Sequence, residues 1–367
     1  MLIHAVDDRA GYMRLGPVIA EVERRGEFSQ LVVDLCAPAS RVGGDELDEI
    51  GFPRPARAVA PGRGSHAARI ARMLEGFERV LEEERPALVL LAGDLDATLA
   101  CALAAAKRRV PVARLQAGLR SGDWGADDEM NRVLIDRVGD ALFTASPEAA
   151  DNLRREGITD GRTHYVGNTL VDWLRRAEPA ARPRSVRRTL DLAEHEYVLV
   201  SLHRPATVED RDHAGRLFDA LVGLADAAPV VLAVPARTAA VLEAAGRAGR
   251  ALPPDLHRIR HIGLLDYLSL AGDAGAILTD AGAVQETASA LGVPCYTLRT
   301  TIEHPVTLTH GTNTLLGEDP PDLAPVAAAR RPPTPCAIPL WDGHAGERVA
   351  DVLAANFALR RGVGVGR

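Results

Sequence analysis

The chain has 367 residues, of which 47% are hydrophobic and 25% charged, and 43 basic and 50 acidic residues give it a formal net charge of -7. No apolar run approaches the roughly 20 residues of a membrane-spanning helix, no basic stripe offers a footprint for nucleic acid, and no secretory signal opens the chain, so we expect a cytoplasmic protein without membrane or nucleic-acid partners. The four cysteines lack the spacing of a zinc site or a disulfide framework, so we predict free thiols and no metal.

The first half of the chain alternates short apolar runs with amphipathic stretches. Residues 68–84 place apolar side chains at helical spacing, which predicts a helix packed on a core. The apolar runs have the length and composition of buried strands. They are residues 31–35, 87–93, 110–118 and 141–146. This alternation predicts βα units on a parallel sheet.

The second half repeats this pattern after an interruption. A segment rich in Pro and Arg, 175–188, breaks the alternation, and the apolar run 197–203 restarts it. Further strands are predicted at 229–235, 275–280 and 293–298. We therefore predict an α/β protein with two Rossmann-like, doubly wound domains and a ligand site in the cleft between them. The predicted boundaries are 1–173, 174–345 and, for a C-terminal helix and tail that pack back on the first domain, 346–367.

Three features of the second half suit an anion. Gly282 lies at a strand-to-helix turn, where the amides of Ala283 and Val284 are predicted to be free to donate at the positive end of the helix dipole. His203 and Arg204 follow one predicted strand directly, and Arg299 follows another. Each feature alone is common in structural turns, but an unpaired guanidinium is poorly tolerated in a core. Together they favour a phosphate site.

The segment 114–137 raises a different question, because it carries five acidic residues and yet its first interior polar residue, Gln116, is an amide. It is either an acid/base site in which one carboxylate has been replaced, or a solvated loop that leads into a helix. The residues alone leave both interpretations open.

Nine motifs in chain order resemble those of the UDP-N-acetylglucosamine 2-epimerase family, and they cover nearly the whole chain. They are GD-x4-LA (93–100), QAGLRSGD (116–123), DDEMNR (127–132), VGNTLVD (166–172), SLHRPATVED (201–210), LTDAGAVQE (278–286), VPCYTLRTTIEHP (293–305), THGTNTLLG (309–317) and DGHAGER (342–348). The resemblance implies two Rossmann-like domains in the GT-B arrangement, an active site between them, a nucleotide-sugar substrate, no cofactor and a homodimer.

The resemblance also implies a reaction. Departure of UDP builds positive charge at C1 of the sugar and acidifies the hydrogen on C2, and elimination leaves a bound 2-acetamidoglucal. Non-hydrolysing members return UDP with C2 inverted, whereas hydrolysing members add water and release ManNAc and UDP. Both routes need carboxyl groups as acid and base and hydrogen-bond donors around the diphosphate.

Carried over by motif, the family's acid/base positions are Asp94, Asp128 and Glu129, and its leaving-group position is His203. Gln116 stands where the family has a glutamate. Because an amide neither takes up nor gives up a proton at neutral pH, Gln116 is the most serious departure from the family pattern.

The nucleotide side is implied in the same way. Its predicted residues are Arg9, Arg14, His203, Arg204, Ala281, Gly282, Ala283, Glu286 and Arg299. Glu286 would hold the ribose hydroxyls, Arg14 replaces a lysine and Ala281 a serine. In the first loop, Asp7, Asp8 and Gly11 replace the family's Gly, Thr and Glu.

The sequence therefore predicts a UDP-GlcNAc 2-epimerase, with three alternatives left open. The first is a diverged bacterial member of a specialised or secondary pathway that hydrolyses, eliminates or transfers a glycosyl group at C1. The others are a GT-B glycosyltransferase and a non-catalytic binder of sugar nucleotides.

Overall fold

Buried apolar strands and amphipathic helices build two separate parallel sheets in this protein. The structure is a computed structural model that describes residues 1–37, 41–204, 210–245, 253–259, 262–319 and 322–357. One unit comprises Met1–Trp173 with the chain from Pro339 onward, and the other comprises Leu174–Ile338. The predicted α/β class with two Rossmann-like sheets is confirmed.

The first unit contains a seven-stranded sheet in the order β3-β2-β1-β4-β5-β6-β7, with every neighbouring pair parallel. Both faces of the sheet are covered by helices, so its central strands are buried along their whole length and largely apolar rather than alternating. The strands are β1 Leu2–Val6, β2 Gln30–Asp34, β3 Arg57–Ala58, β4 Leu88–Ala92, β5 Val112–Leu115, β6 Ala141–Thr144 and β7 Thr163–Tyr165. The helices are α1 Arg9–Arg25, α2 Gly44–Glu49, α3 His66–Glu84, α4 Asp96–Lys107, α5 Asp127–Val138, α6 Pro147–Arg155 and α7 Thr169–Ala181.

The predicted helix at 68–84 begins two residues earlier, at His66, because the Ser65 side chain accepts a hydrogen bond from the amide of Ala68 and caps it. The predicted break in the alternation of strands and helices does not start at residue 175. Helix α7 continues to Ala181, and two short 3-10 turns, Arg182–Arg184 and Val186–Leu190, follow it.

The second unit contains a six-stranded parallel sheet in the order β10-β9-β8-β11-β12-β13. Its strands are β8 Val198–Ser201, β9 Val230–Ala233, β10 Leu256–Ile259, β11 Ala276–Thr279, β12 Cys295–Thr297 and β13 Asn313–Leu315. Its helices are α8 Arg211–Ala227, α9 Ala236–Ala245, α10 Leu264–Asp273, α11 Gly282–Leu291, α12 Val306–Thr309 and α13 Ala324–Ala328.

The end of the described chain returns to the first unit. The indole of Trp341 donates a hydrogen bond to the carbonyl oxygen of Ala145, and the last helix, α14 Ala345–Phe357, packs against α1. The amide of Gly346 donates to Asp172 Oδ2 at 2.7 Å, which fixes the start of α14 against α7. None of the helices described is long and apolar enough to cross a membrane.

The strand order reverses at one point in each sheet, between β1 and β4 in the first unit and between β8 and β11 in the second. Open α/β sheets bind ligands outside the carboxyl ends of the strands at such a switch point. The register pairs Val6 with Ala92 and Ser201 with Thr279, so the residues that follow these four lie side by side at the two switch points.

Candidate active site

Three acidic residues of the first unit surround one buried arginine, Arg132, on α5. Its Nη1 atom lies 2.6 Å from Asp94 Oδ2 and 3.4 Å from Asp128 Oδ2, and its Nη2 lies 3.0 Å from Glu129 Oε2. The structure therefore brings the three predicted carboxylates together beside the end of β4. Only 2% of the Arg132 side chain is exposed, against 35% for Asp94 and 22% for Asp128, so the latter two can still reach a ligand.

Glu129 differs from its two neighbours because its carboxylate is buried and fully engaged. Oε2 accepts from the amide and hydroxyl of Ser121, and Oε1 accepts from the amide of Gly122. Burial works to raise the pKa of Glu129, but these amides and the Arg132 guanidinium together hold that pKa below its usual value. A carboxylate in this state stabilises the loop 119–126 and is poorly suited to taking up a proton.

Gln116 follows β5 and is buried. Its Nε2 donates to Asn168 Oδ1 at 3.3 Å, and its backbone has a φ of 54°, the left-handed region that residues other than glycine rarely adopt. Strain of this kind persists only where the surrounding structure imposes it, and it is frequent at functional sites. The structure combines both interpretations of 114–137: residues 116–119 are buried, whereas residues 122–125 form an exposed loop that leads into α5.

The predicted cations of the first unit lie on α1. Arg9 is the first residue of that helix, and its Nη2 is 2.6 Å from Glu46 Oε1, while Arg14 is half-buried one turn further along. Asp8 caps the helix by accepting from the amide of Gly11 at 2.6 Å. Both arginines therefore belong to the part of α1 that begins at the switch point.

In the second unit, Asp280 shapes the predicted phosphate loop. Its two carboxylate oxygens accept from the backbone amides of His203, at 2.8 Å, and Arg204, at 3.1 Å. The exposed imidazole of His203 shares a hydrogen bond with the hydroxyl of Ser201, whose oxygen lies 2.9 Å from Nε2. Asp280 thus joins the ends of β8 and β11 and sets the direction of the His203 side chain.

Helix α11 begins beside this loop. Ala281 is its N-cap and supplies no side-chain acceptor, and within the described residues no acceptor is found for the amides of Gly282 and Ala283. Such amides, with the positive end of the helix dipole, suit an anion. The predicted Ala281, Gly282 and Ala283 are therefore placed together with His203 and Arg204. The prediction of a free amide at Val284 is wrong, because this amide donates to the carbonyl oxygen of Ala281 at 3.1 Å.

Arg299 is placed differently from the prediction. Its guanidinium is buried and forms a bidentate pair with Glu303, with both nitrogen–oxygen distances 2.7 Å. This pair neutralises Arg299. Arg204, whose Nη2 is 3.7 Å from Glu303 Oε1, keeps 30% of its side chain exposed and is the better placed of the two cations to meet a ligand.

Glu286 is fully buried on α11, and its Oε1 lies 3.0 Å from Nε2 of His304. It has no exposed surface for a ribose hydroxyl in this structure, so binding a nucleotide there would require His304 to move. The arrangement instead connects α11 to the loop that carries Arg299.

We therefore expect Glu286→Ala to lower the free energy of unfolding by about 1–3 kcal/mol, because it leaves the buried His304 without this partner. Glu286→Gln, which keeps the shape and an acceptor, should retain most of the stability. Urea unfolding of both variants checks the first point, and calorimetric titration of folded Glu286→Gln with UDP checks the second: unchanged affinity removes the carboxylate from the nucleotide contacts.

Several side chains of these sites were missed by sequence reasoning. Arg132 and Asn131 stand in the quoted DDEMNR motif, and Asn131 Nδ2 donates to the carbonyl oxygen of Asp94 at 2.9 Å. Their spacing of three and four residues from Asp128 was a usable signal, since such positions share a helix face. Glu303 and Asn168 carried no comparable signal. Among the described residues, no group of His, Cys, Asp and Glu side chains could hold a metal ion.

Comparison with known proteins agrees with this layout. A family model described as UDP-N-acetylglucosamine 2-epimerase matches residues 21–354. The UDP-N-acetylglucosamine 2-epimerase of Methanocaldococcus jannaschii is 31% identical over 353 residues, which is 94% of this chain and 96% of the relative. A UDP-2,3-diacetamido-2,3-dideoxy-D-glucuronate 2-epimerase of Pseudomonas aeruginosa is 35% identical over 276 residues, which is 74% of this chain and 75% of the relative.

Among solved structures, the M. jannaschii UDP-GlcNAc 2-epimerase in complex with UDP-GlcNAc and UDP superposes with a TM-score of 0.85 at 28% identity, covering 96% of this chain and 99% of that chain. The region that the family model matches spans both units and includes all nine motifs that carried the resemblance. The chain belongs to the UDP-N-acetylglucosamine 2-epimerase family.

Proposed function

We propose that this protein is a UDP-sugar 2-epimerase that inverts C2 of UDP-N-acetylglucosamine. The observation that carries the proposal is the pair of partly exposed carboxylates, Asp94 and Asp128, held by Nη1 of Arg132 at 2.6 and 3.4 Å. Inversion at C2 needs one group that removes a proton and one that returns a proton to the other face. The names of the relatives in M. jannaschii and P. aeruginosa support the same reaction.

The proposed reaction has two balanced stages. The C1–O bond breaks with its electron pair passing to the β-phosphate oxygen of UDP, and a carboxylate takes the proton from C2 as the C1–C2 double bond forms. In the return stage, a carboxyl group gives a proton to the opposite face of C2, and the phosphate oxygen bonds again to C1. We assign the two transfers to Asp94 and Asp128.

This assignment follows from the hydrogen bonds of the remaining candidates. Glu129 already accepts from two backbone amides, a hydroxyl and Arg132, so it holds the loop and the guanidinium in place. Gln116 cannot exchange a proton and keeps its amide bonded to Asn168, which makes it a polar wall of the sugar site.

For the nucleotide we propose the second unit. The amides of Gly282 and Ala283, the imidazole of His203 and the guanidinium of Arg204 provide donors for the diphosphate that departs, and the backbone replaces the hydroxyl that Ala281 lacks. Arg299 supports this site through Glu303. The resemblance further supports a nucleotide-binding role for Arg9 and Arg14 of the first unit.

The resemblance further supports a homodimer in the cytoplasm of a bacterium, in a specialised pathway. Light scattering on the purified protein decides the first of these points, since a monomer mass at micromolar concentration would remove the dimer.

Gln116→Glu tests the assignment of the acid/base pair. We expect the variant to preserve or raise epimerisation, because it restores a carboxylate at the family's position beside a pair that already works. Rates of UDP-GlcNAc conversion by NMR, compared with Gln116→Ala, provide the measurement. A loss in Gln116→Glu that Gln116→Ala does not share would mean that a carboxylate there is incompatible with this chain's chemistry.

A further inference from the structure

A second carboxyl group, that of Asp7, packs against the β4–α4 turn that carries Asp94. The register places Asp7 beside Gly93, because each is the residue after the paired Val6 and Ala92. A Cβ atom on Gly93 would collide with both oxygens of Asp7, so only glycine allows this approach. The Asp7 carboxyl therefore packs against the backbone of the residue immediately before Asp94.

The hydrogen bonds of Asp7 connect it to the β4–α4 turn. Its Oδ2 accepts from the amide of Leu95, at 3.4 Å, and from the hydroxyl of Thr98. Its Oδ1 is buried with no hydrogen-bond partner among the described residues, and only 2% of Asp7 is exposed. The resemblance puts a glycine at this position, so the acid is a feature of this chain and not of the family motif.

The titratable groups that face Asp7 are carboxyl groups and thiols. Asp8 faces it from the start of α1, Asp94 from the β4–α4 turn, and the thiols of Cys36 and Cys101 from the loop after β2 and from α4. In the described part of the chain no cation pairs with Asp7, whereas Asp94 has Arg132 at 2.6 Å and contact with solvent.

Adjacent carboxyl groups in such different surroundings divide into an acid and a base. Burial, with the charges of Asp8 and Asp94, raises the pKa of Asp7 to about 8, against the opposing effect of the hydrogen bonds from Thr98 and Leu95.

We propose that Asp7 is a positioning residue for Asp94. In its neutral acid form it accepts hydrogen bonds from the β4–α4 turn and leaves the negative charge on Asp94. This inference rests on the proposed 2-epimerase function, in which Asp94 carries out one of the two proton transfers at C2. Ionisation of Asp7 at higher pH places a second negative charge under Asp94, which impairs that exchange.

Kinetics test the role in turnover. Asp7→Asn keeps the shape and the neutral charge, so kcat at pH 7 should stay within about three-fold of wild type. We expect kcat/KM of wild type to decline near pH 8, and this decline should be absent in Asp7→Asn. Asp7→Gly, the family's residue, should lower kcat about 10- to 100-fold with KM changed less than three-fold, because the turn loses its acceptor. Identical pH profiles in wild type and Asp7→Asn, or full activity in Asp7→Gly, overturn the proposal.

Two further experiments do not depend on turnover of a substrate, so they separate this inference from the proposed function. In protein with 13C-labelled aspartate carboxyls, the resonance that Asp7→Asn removes should titrate near pH 8. Hydrogen exchange in the peptide 93–98 should be at least about ten-fold faster in Asp7→Gly and unchanged in Asp7→Asn. A resonance that titrates near the ordinary aspartate value of about 4, or unchanged exchange in Asp7→Gly, overturns the inference even if no UDP-sugar is turned over.

The pH dependence of the melting temperature provides a further test. An unfolded chain releases the Asp7 proton near pH 4 and the folded protein near pH 8, so the contribution of this group to stability is full below about pH 4 and is lost as pH rises towards 8. The Tm of wild type should therefore fall more between pH 5 and 8 than that of Asp7→Asn. Parallel curves contradict the neutral form of Asp7.

Discussion

Replacing Asp94 with asparagine is expected to lower kcat for epimerisation about 10²- to 10⁴-fold, the usual contribution of a positioned acid or base. Asparagine keeps the size of the side chain and an oxygen that can accept from Arg132 Nη1, and the carbonyl oxygen of residue 94 still accepts from Asn131. The fold should therefore survive, and the loss should lie in proton transfer.

Turnover of UDP-GlcNAc and exchange of the C2 hydrogen in deuterated water measure this effect. Asp127→Asn is the matched control, because Asp127 is an exposed acid in the first turn of α5 and close in sequence to Asp128. UDP affinity by calorimetry should be similar in both variants, since the nucleotide is proposed to bind the second unit. Full activity of Asp94→Asn would show that another group moves the proton.

Arg132→Met should lower the free energy of unfolding by about 3–5 kcal/mol, the cost of leaving a buried charge without its partner. The guanidinium is 2% exposed and serves three carboxylates, of which Glu129 is equally buried. Methionine fills similar space but leaves Glu129 facing only amides and a hydroxyl. Asp94 and Asp128 would also lose the group that holds them together, so activity should fall with stability.

Urea unfolding at pH 7 gives the stability change, provided that the slope with denaturant is the same in both proteins. Arg137→Met provides the control, because Arg137 is exposed on the same helix and donates only to the carbonyl oxygen of Glu156. Equal stability of Arg132→Met and Arg137→Met would mean that the carboxylates do not depend on Arg132.

The sequence predicted eight of the thirteen described strands, because buried parallel strands are short and apolar, and it missed β1, β3, β7, β10 and β13. It also predicted which polar residues follow the strands, and Asp94, His203 and Gly282 lie at the switch points for that reason. Motif and strand end together were sufficient to predict which of these residues lie at the switch point of each unit.

Sequence reasoning was weaker where a side chain's role depends on a distant partner. Glu129 and Arg299 were both predicted to act on a ligand, yet one is engaged by amides of another loop and the other by Glu303. Asp7 looked like an ordinary loop residue, since nothing in its own neighbourhood reveals that Gly93 lies against it. Burial and pairing of this kind follow from the tertiary fold and not from local pattern.

The most direct measurement is NMR of the wild-type protein incubated with UDP-GlcNAc in deuterated water. An epimerase that works through elimination should convert the substrate into a mixture with UDP-ManNAc and place deuterium at C2 of both sugars. Substrate recovered with hydrogen at C2, or complete conversion to free ManNAc and UDP, would contradict the proposed 2-epimerase.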